Sequence, residues 1–172
     1  FSLCMQRAGH EESDVKDTLQ RCAWAGVHPP MVGYHDEEWR VPVHDDRLLF
    51  EFLILEGAQA GLTWRTILDR REGYRRAFHN FDARRISRYG PGEVKRLLAD
   101  AGIIRNRLKV AAAILNAQRL LAVQQEFGSF DRYLWRFVND KPIDNRIGSL
   151  RQIPATTPIS DALSKDLKKR GF

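Results

Sequence analysis

From Asp45 to the end of the chain the apolar residues recur at helical spacing, and no stretch of useful length alternates apolar and polar residues as a half-buried strand would. Leu49, Phe52 and Leu53 follow an i, i+3, i+4 rule behind a capping Asp45 or Asp46. The pattern predicts a second helix from about Leu62 or Thr63 past Ile67, Leu68, Tyr74 and Phe78. A third follows Pro91-Gly92, with Val94, Leu97 and Leu98 inward, and stops at Gly102. The longest runs from about Asn106 to Phe127 with Val110, Ile114, Ala117 and Leu121 on one face. A short aromatic helix holds Tyr133, Leu134, Trp135 and Phe137. The last begins near Pro158 and ends at Gly171, with Lys168, Lys169 and Arg170 in its final turn. The predicted fold class is all-α, without internal repeats.

Ahead of this helical part, residues 21–44 carry Pro29-Pro30, Gly33 and Pro42, which are expected to break any helix, yet they hold Trp24, Tyr34 and Trp39. Residues 1–20 are polar and read as an extension, so one domain is predicted over 21–172. A 43% hydrophobic content suffices for a real core. A net charge of +6 and a pI of about 9.6 favour a polyanionic partner, with nucleic acid leading. Cys4 and Cys22 are too few for a disulfide framework. The longest apolar stretch carries acids and cannot span a bilayer, and the first residues lack a secretory pattern, so a cytoplasmic protein is expected.

Four features carry chemistry. Glu56 lies seven positions after Leu49 on the same stripe, where a carboxylate is costly unless paired or protonated; a Glu leaning to solvent at the helix end is the plainer alternative. Small residues follow at 57–61, then Trp64. Trp24, Tyr34, Trp39 and Trp64 suit core packing singly, but as a group beside one carboxylate they suit a flat cationic heteroaromatic ligand. Cys22 and His35 are zinc-type ligands, half of a tetrahedral set, or else a buried thiol and a hydrogen-bonded histidine. Lys168, Lys169 and Arg170 before Gly171 suit phosphate binding, or simply match the helix dipole.

RCAW at 21–24, YHDEEW at 34–39, VPVHDDRLLFEFLILEGAQAGLTW at 41–64, ADAGIIRNRLKVAA at 99–112, LWRFVND at 134–140 and SDALSKDLKKRGF at 160–172 together resemble the 3-methyladenine DNA glycosylase I family of bacterial base-excision enzymes. The resemblance implies the all-α helix-hairpin-helix glycosylase fold, with a base pocket between two helical lobes. It implies that Glu56 hydrogen-bonds a methylated adenine and that Tyr34 and Trp64 are pocket aromatics, with Trp24 and Trp39 in or beside the wall. Gln59, Gly61 and Leu62 fall in the loop that would press on DNA at the lesion. Cys22 and His35 match two of four ligands of a structural zinc ion. The 105–109 segment and Lys168, Lys169 and Arg170 are candidate phosphate contacts. The implied activity is hydrolytic, monofunctional removal of N3-methyladenine by a monomer acting on alkylated double-stranded DNA. At Phe172 the resemblance breaks off: the family continues through the second hairpin helix and a segment bearing the other His and Cys, so the C-terminal part of the hairpin region is expected to be missing. A catalytically weak DNA-binding homologue is the second reading.

Overall fold

The computed structural model describes residues 21–144 and 154–172. They fall into two compact units, one built on residues 21–42, 143–144 and 154–155, the other on 43–142 and 156–172.

The first unit opens with a 3-10 turn at Ala23–Ala25, followed by helix α1 (Pro29–Gly33). The proline pair expected to break a helix instead starts one. At the first helical positions the N–H groups have no intrahelical partner to lose, and the proline ring presets φ. Gly33 does not stop the coil either: α1 runs into a π-helical turn, Tyr34–Glu38, closed by the Trp39 N–H donating to the Tyr34 carbonyl at 2.7 Å.

The second unit is a helical bundle. Helix α2 (Asp46–Gln59) is capped by Asp45, whose carboxylate accepts from the Leu48 N–H at 2.8 Å. Its buried residues are Phe50, Glu51, Ile54, Leu55 and Ala58, while Leu49, Phe52 and Leu53 lie half-buried along its flank. The predicted stripe is thus turned by a residue. LLFEFLIL offers an apolar side chain in nearly every direction, and its one charged residue is buried because Arg71 and Arg75 meet it.

The single helix predicted over 62–78 is two, α3 (Trp64–Leu68) and α4 (Arg71–Ala77), broken at Arg70. After the break Gly73 lies against the backbone of Gly102, where a Cβ would fall 2.1 Å from the Gly102 carbonyl oxygen. This close approach requires a glycine. Next comes a left-handed turn, with φ of +51° at His79 and Asn80 and +56° at Phe81. Burial of Phe81 against Phe78 and a 2.5 Å hydrogen bond between His79 Nδ1 and the Tyr89 hydroxyl hold it. Helix α5 (Ala83–Ile86), capped by Asp82, has no counterpart in the sequence reading.

Helix α6 (Pro91–Ala99) buries Leu97, and α7 (Arg107–Phe127) is capped by Asn106. The buried face of α7 is Val110, Ala113, Ala117, Leu120 and Val123, with Ile114 and Leu121 at its edge rather than its centre. This face packs among α2, α5, α6 and α8 (Phe130–Trp135). Helix α9 (Pro158–Arg170) is capped by Thr157 and closes on Gly171 at φ +88°. The described residues contain no strand, and no helix among them is long and apolar enough to cross a membrane.

Candidate active site

The second unit places Glu56, Gln59, Gly61, Leu62 and Trp64 on one continuous structure: the last turn of α2, the loop after it and the first residue of α3. Glu56 is off the buried stripe and its side chain is open to solvent. Even so, desolvation by the protein around it raises its carboxyl above the ordinary carboxylate range. The approach to this helix end is clear, since a Cβ on Gly57 or Gly61 would meet nothing within 4 Å. Gly61 turns the chain at φ +78°, the Leu62 N–H donates to the Gln59 carbonyl at 2.6 Å, and Leu62 is left exposed. Thr63 then caps α3, seating Trp64 at its first position against the core.

Lys109 fixes this corner. Its ammonium, in the first turn of α7, donates to the carbonyls of Ala58 at 2.7 Å and Ala60 at 2.8 Å. Both belong to the helix end whose carbonyls lack intrahelical donors. The lysine grouped by sequence with the phosphate contacts is therefore directed at the protein's own backbone.

The first unit gathers Cys22, Trp24, Tyr34, His35 and Trp39. Trp24 stands edge-on to Trp39 at 5.0 Å between centroids and lies 6.3 Å from Tyr34. His35 stacks on Trp39 at 5.2 Å. Tyr34 and His35 are buried, and Trp24 is 38% exposed. Arg21 grips Asp36 with Nε and Nη2 at 2.7 to 3.0 Å and holds its carboxyl below the usual range, so Asp36 is an ionised acceptor. His35 Nδ1, 2.9 Å from Asp36, must then carry the proton, and Nε2 accepts from the Cys22 N–H at 3.3 Å. A carboxylate behind Nδ1 orients the ring as it does behind metal-bound histidines, while Nε2 is occupied by the Cys22 N–H and would have to exchange that bond for a metal. With the buried Cys22 this histidine fits half of a tetrahedral zinc set. Among the described residues no group of three or more His, Cys, Asp or Glu is arranged to hold a metal.

The methyladenine glycosylase family model matches residues 24–172. The chain belongs to the methyladenine glycosylase family. It is 47% identical over 154 residues to DNA-3-methyladenine glycosylase 1 of Escherichia coli (strain K12), covering 90% of this chain and 82% of that protein. It is 45% identical to DNA-3-methyladenine glycosylase of Haemophilus influenzae over 88% of this chain and 82% of that protein. A crystal structure of 3-methyladenine DNA glycosylase I superimposes with a TM-score of 0.85 at 50% identity, covering 89% of this chain and 84% of that one. The Staphylococcus aureus enzyme, solved to define 3-methyladenine recognition, gives 0.84 at 36% identity over 88% and 81%.

In this methyladenine glycosylase the three cations closing α9 are not equivalent. Lys168 and Lys169 are exposed. Arg170, grouped with them in the sequence, is bound by Glu126 at 2.6 and 3.0 Å and Asp166 at 2.8 Å, and its guanidinium lies over Phe127 and Tyr133. It ties α9 to α7 rather than facing outward. Arg21, Asp36 and Lys109 escaped the sequence reading as site-building residues, although RC and HD within the two quoted motifs carried the first two.

Proposed function

We propose that this chain removes N3-methyladenine from alkylated double-stranded DNA by hydrolysis of the N-glycosidic bond, as a monomeric, monofunctional base-excision glycosylase in the bacterial cytoplasm. The observation that carries the reading is Glu56, a partly desolvated carboxyl one loop away from Trp64 at an unobstructed helix end, in a chain of the methyladenine glycosylase family. An enzyme that acts on a base within a duplex must first extrude the nucleotide, and damage that weakens pairing lowers this cost.

N3-methyladenine in DNA is cationic and leaves as a neutral base, so the glycosidic bond is already weakened. Tyr34 and Trp64, with Trp24 and Trp39 in or beside the wall, offer π faces to the cation. The ionised Glu56 accepts a hydrogen bond from it, and Gln59, Gly61 and Leu62 press on the duplex. Water adds at the sugar carbon as the base departs, leaving an abasic site. Lys168 and Lys169 contact phosphates. Zinc, where bound, takes Cys22 and His35 as two of its ligands and braces the first unit without entering the chemistry.

The test is release of 3-methyladenine from methylated duplex DNA by the zinc-loaded, full-length protein, with Glu56→Gln as comparison. No release overturns the reading. Metal analysis of Cys22→Ser and His35→Ala against the unsubstituted protein tests the zinc assignment, which fails if zinc content is unchanged.

A further inference from the structure

Removing Arg170 from the outward-facing cations leaves the end of α9 without the arginine the sequence offered there, and the structure supplies another from 51 positions earlier. Arg119, on an exposed position of α7, lies directly on Gly171. A Cβ on Gly171 would fall 2.9 Å from Arg119 Nε and 3.4 Å from both Cζ and Nη2. Gly171 therefore meets two requirements at once. It adopts φ +88° to close the helix, and it leaves room for a guanidinium to lie against the turn. Its N–H and that of Phe172 are both used, donating to the Lys168 and Leu167 carbonyls at 3.0 and 3.1 Å. The turn's own backbone donors are thus occupied, and the donors beside it are those of side chains.

Among the described residues Arg119 has no ion pair or hydrogen bond, in contrast to Arg170 with two carboxylates. Five N–H donors in a planar fork are held at the closing turn of α9, whose last turn carries the exposed Lys168 and Lys169. Such a fork matches a phosphodiester, which offers two acceptor oxygens in one plane, better than it matches a neutral or cationic surface.

We infer that Arg119 is a DNA-phosphate contact at the closing turn of α9, acting with Lys168 and Lys169 in place of Arg170. The assignment rests on the excision reading, because DNA is what supplies the phosphate. It is tested by titrating a fluorescent undamaged duplex with the full-length protein at several salt concentrations. Each lost phosphate contact lowers the slope of log K against log salt by about 0.9. R119A is expected to lower it by that amount and weaken binding several-fold at moderate salt, with its thermal midpoint unchanged. R119K should restore the slope, because the charge returns, and only part of the affinity, because the fork does not. R170A should instead lower the thermal midpoint. A slope in R119A equal to that of the unsubstituted protein, with duplex binding intact, overturns the assignment alone. Failure of the unsubstituted protein to bind duplex DNA overturns both this assignment and the excision reading.

Discussion

The ammonium of Lys109 sits 2.7 Å from the carbonyl oxygen of Ala58, tying the first turn of α7 to the end of the helix that carries Glu56. A second bond to Ala60, at 2.8 Å, reaches into the loop itself. Lys109→Met keeps the aliphatic stem and removes both donors. Hydrogen bonds to a charged group contribute about 1.5–3 kcal/mol when well shielded, and this pair is partly exposed, so a loss of about 1–2 kcal/mol in urea unfolding is expected. Base release should fall further than that loss of fold stability explains, since the substitution frees the corner between Glu56 and Trp64. Lys109→Arg should recover most of the stability. Excision unchanged in K109M would show that the loop holds its course without the clamp.

Glu56 couples the reaction to pH in a direction fixed by its environment. Desolvation raises its pKa, so the carboxylate that would accept from a cationic base is lost on acidification earlier than an ordinary Glu, whose midpoint is near 4.3. The acid limb of base release is therefore expected above that value and absent in Glu56→Gln, which should release base about 10- to 100-fold more slowly at neutral pH. Stability should move the opposite way. A raised carboxyl pKa means that ionisation weighs against the folded state above the folded pKa and that this weight disappears below the unfolded one. E56Q should therefore unfold at higher temperature than the parent at pH 7, with the gain vanishing as pH falls below the ordinary Glu range. Equal melting temperatures at pH 7 would refute the desolvation argument.

The all-α class and the positions of the long helices were legible because start signals and apolar spacing agree at Asp45 and Asn106, and Pro158 marks the first turn of the last helix. Faces were harder. In α2 nearly every position from 48 to 55 is apolar, so periodicity had little contrast, and nothing in the sequence marked Glu51 as buried because its partners Arg71 and Arg75 lie 20 and 24 residues on. The placing of Glu56 on the core stripe followed from that lack of contrast. Its interest as a carboxylate survived for a different reason, the desolvation of an outward-facing side chain. Arg119 and Arg170 show the same limit from the other side. Four cations near the end of α9 look alike as letters, and only the acids on α7 and α9 decide which of them faces outward.

Glu51 itself yields a sharper test. Glu51 is 6% exposed and its carboxylate receives Arg71, which is 8% exposed, together with Arg75 at 2.9 Å. Removing one partner of a buried pair leaves the other charge in a poor medium, which typically costs about 3–5 kcal/mol. Glu51→Ala should lose about that much in urea unfolding, far more than substitution at the exposed Glu72, although Glu72 also pairs with Arg75 at 2.6 Å. A loss below about 1 kcal/mol in E51A, the range of exposed pairs, would mean that the network is solvated.

Tyr133 links the core of the second unit to α9 and sets an alkaline limit on stability. Its ring is fully buried between Phe127 and Phe130, and its hydroxyl donates to Asp166 at 2.9 Å. Burial and the adjacent carboxylate push its pKa up to about 12, against about 10 for a free tyrosine. Between those values the unfolded chain ionises at this position and the folded chain does not. Stability present below pH 10 is therefore lost progressively as pH rises through 12. Tyr133→Phe removes this dependence at the expense of one hydrogen bond, about 1 kcal/mol at neutral pH. The two unfolding curves should therefore converge, and then cross, as the solution is made alkaline. Parallel curves from pH 8 to 12 would show that the hydroxyl titrates as it does in the unfolded chain, and that the Asp166 contact is too open to restrain it.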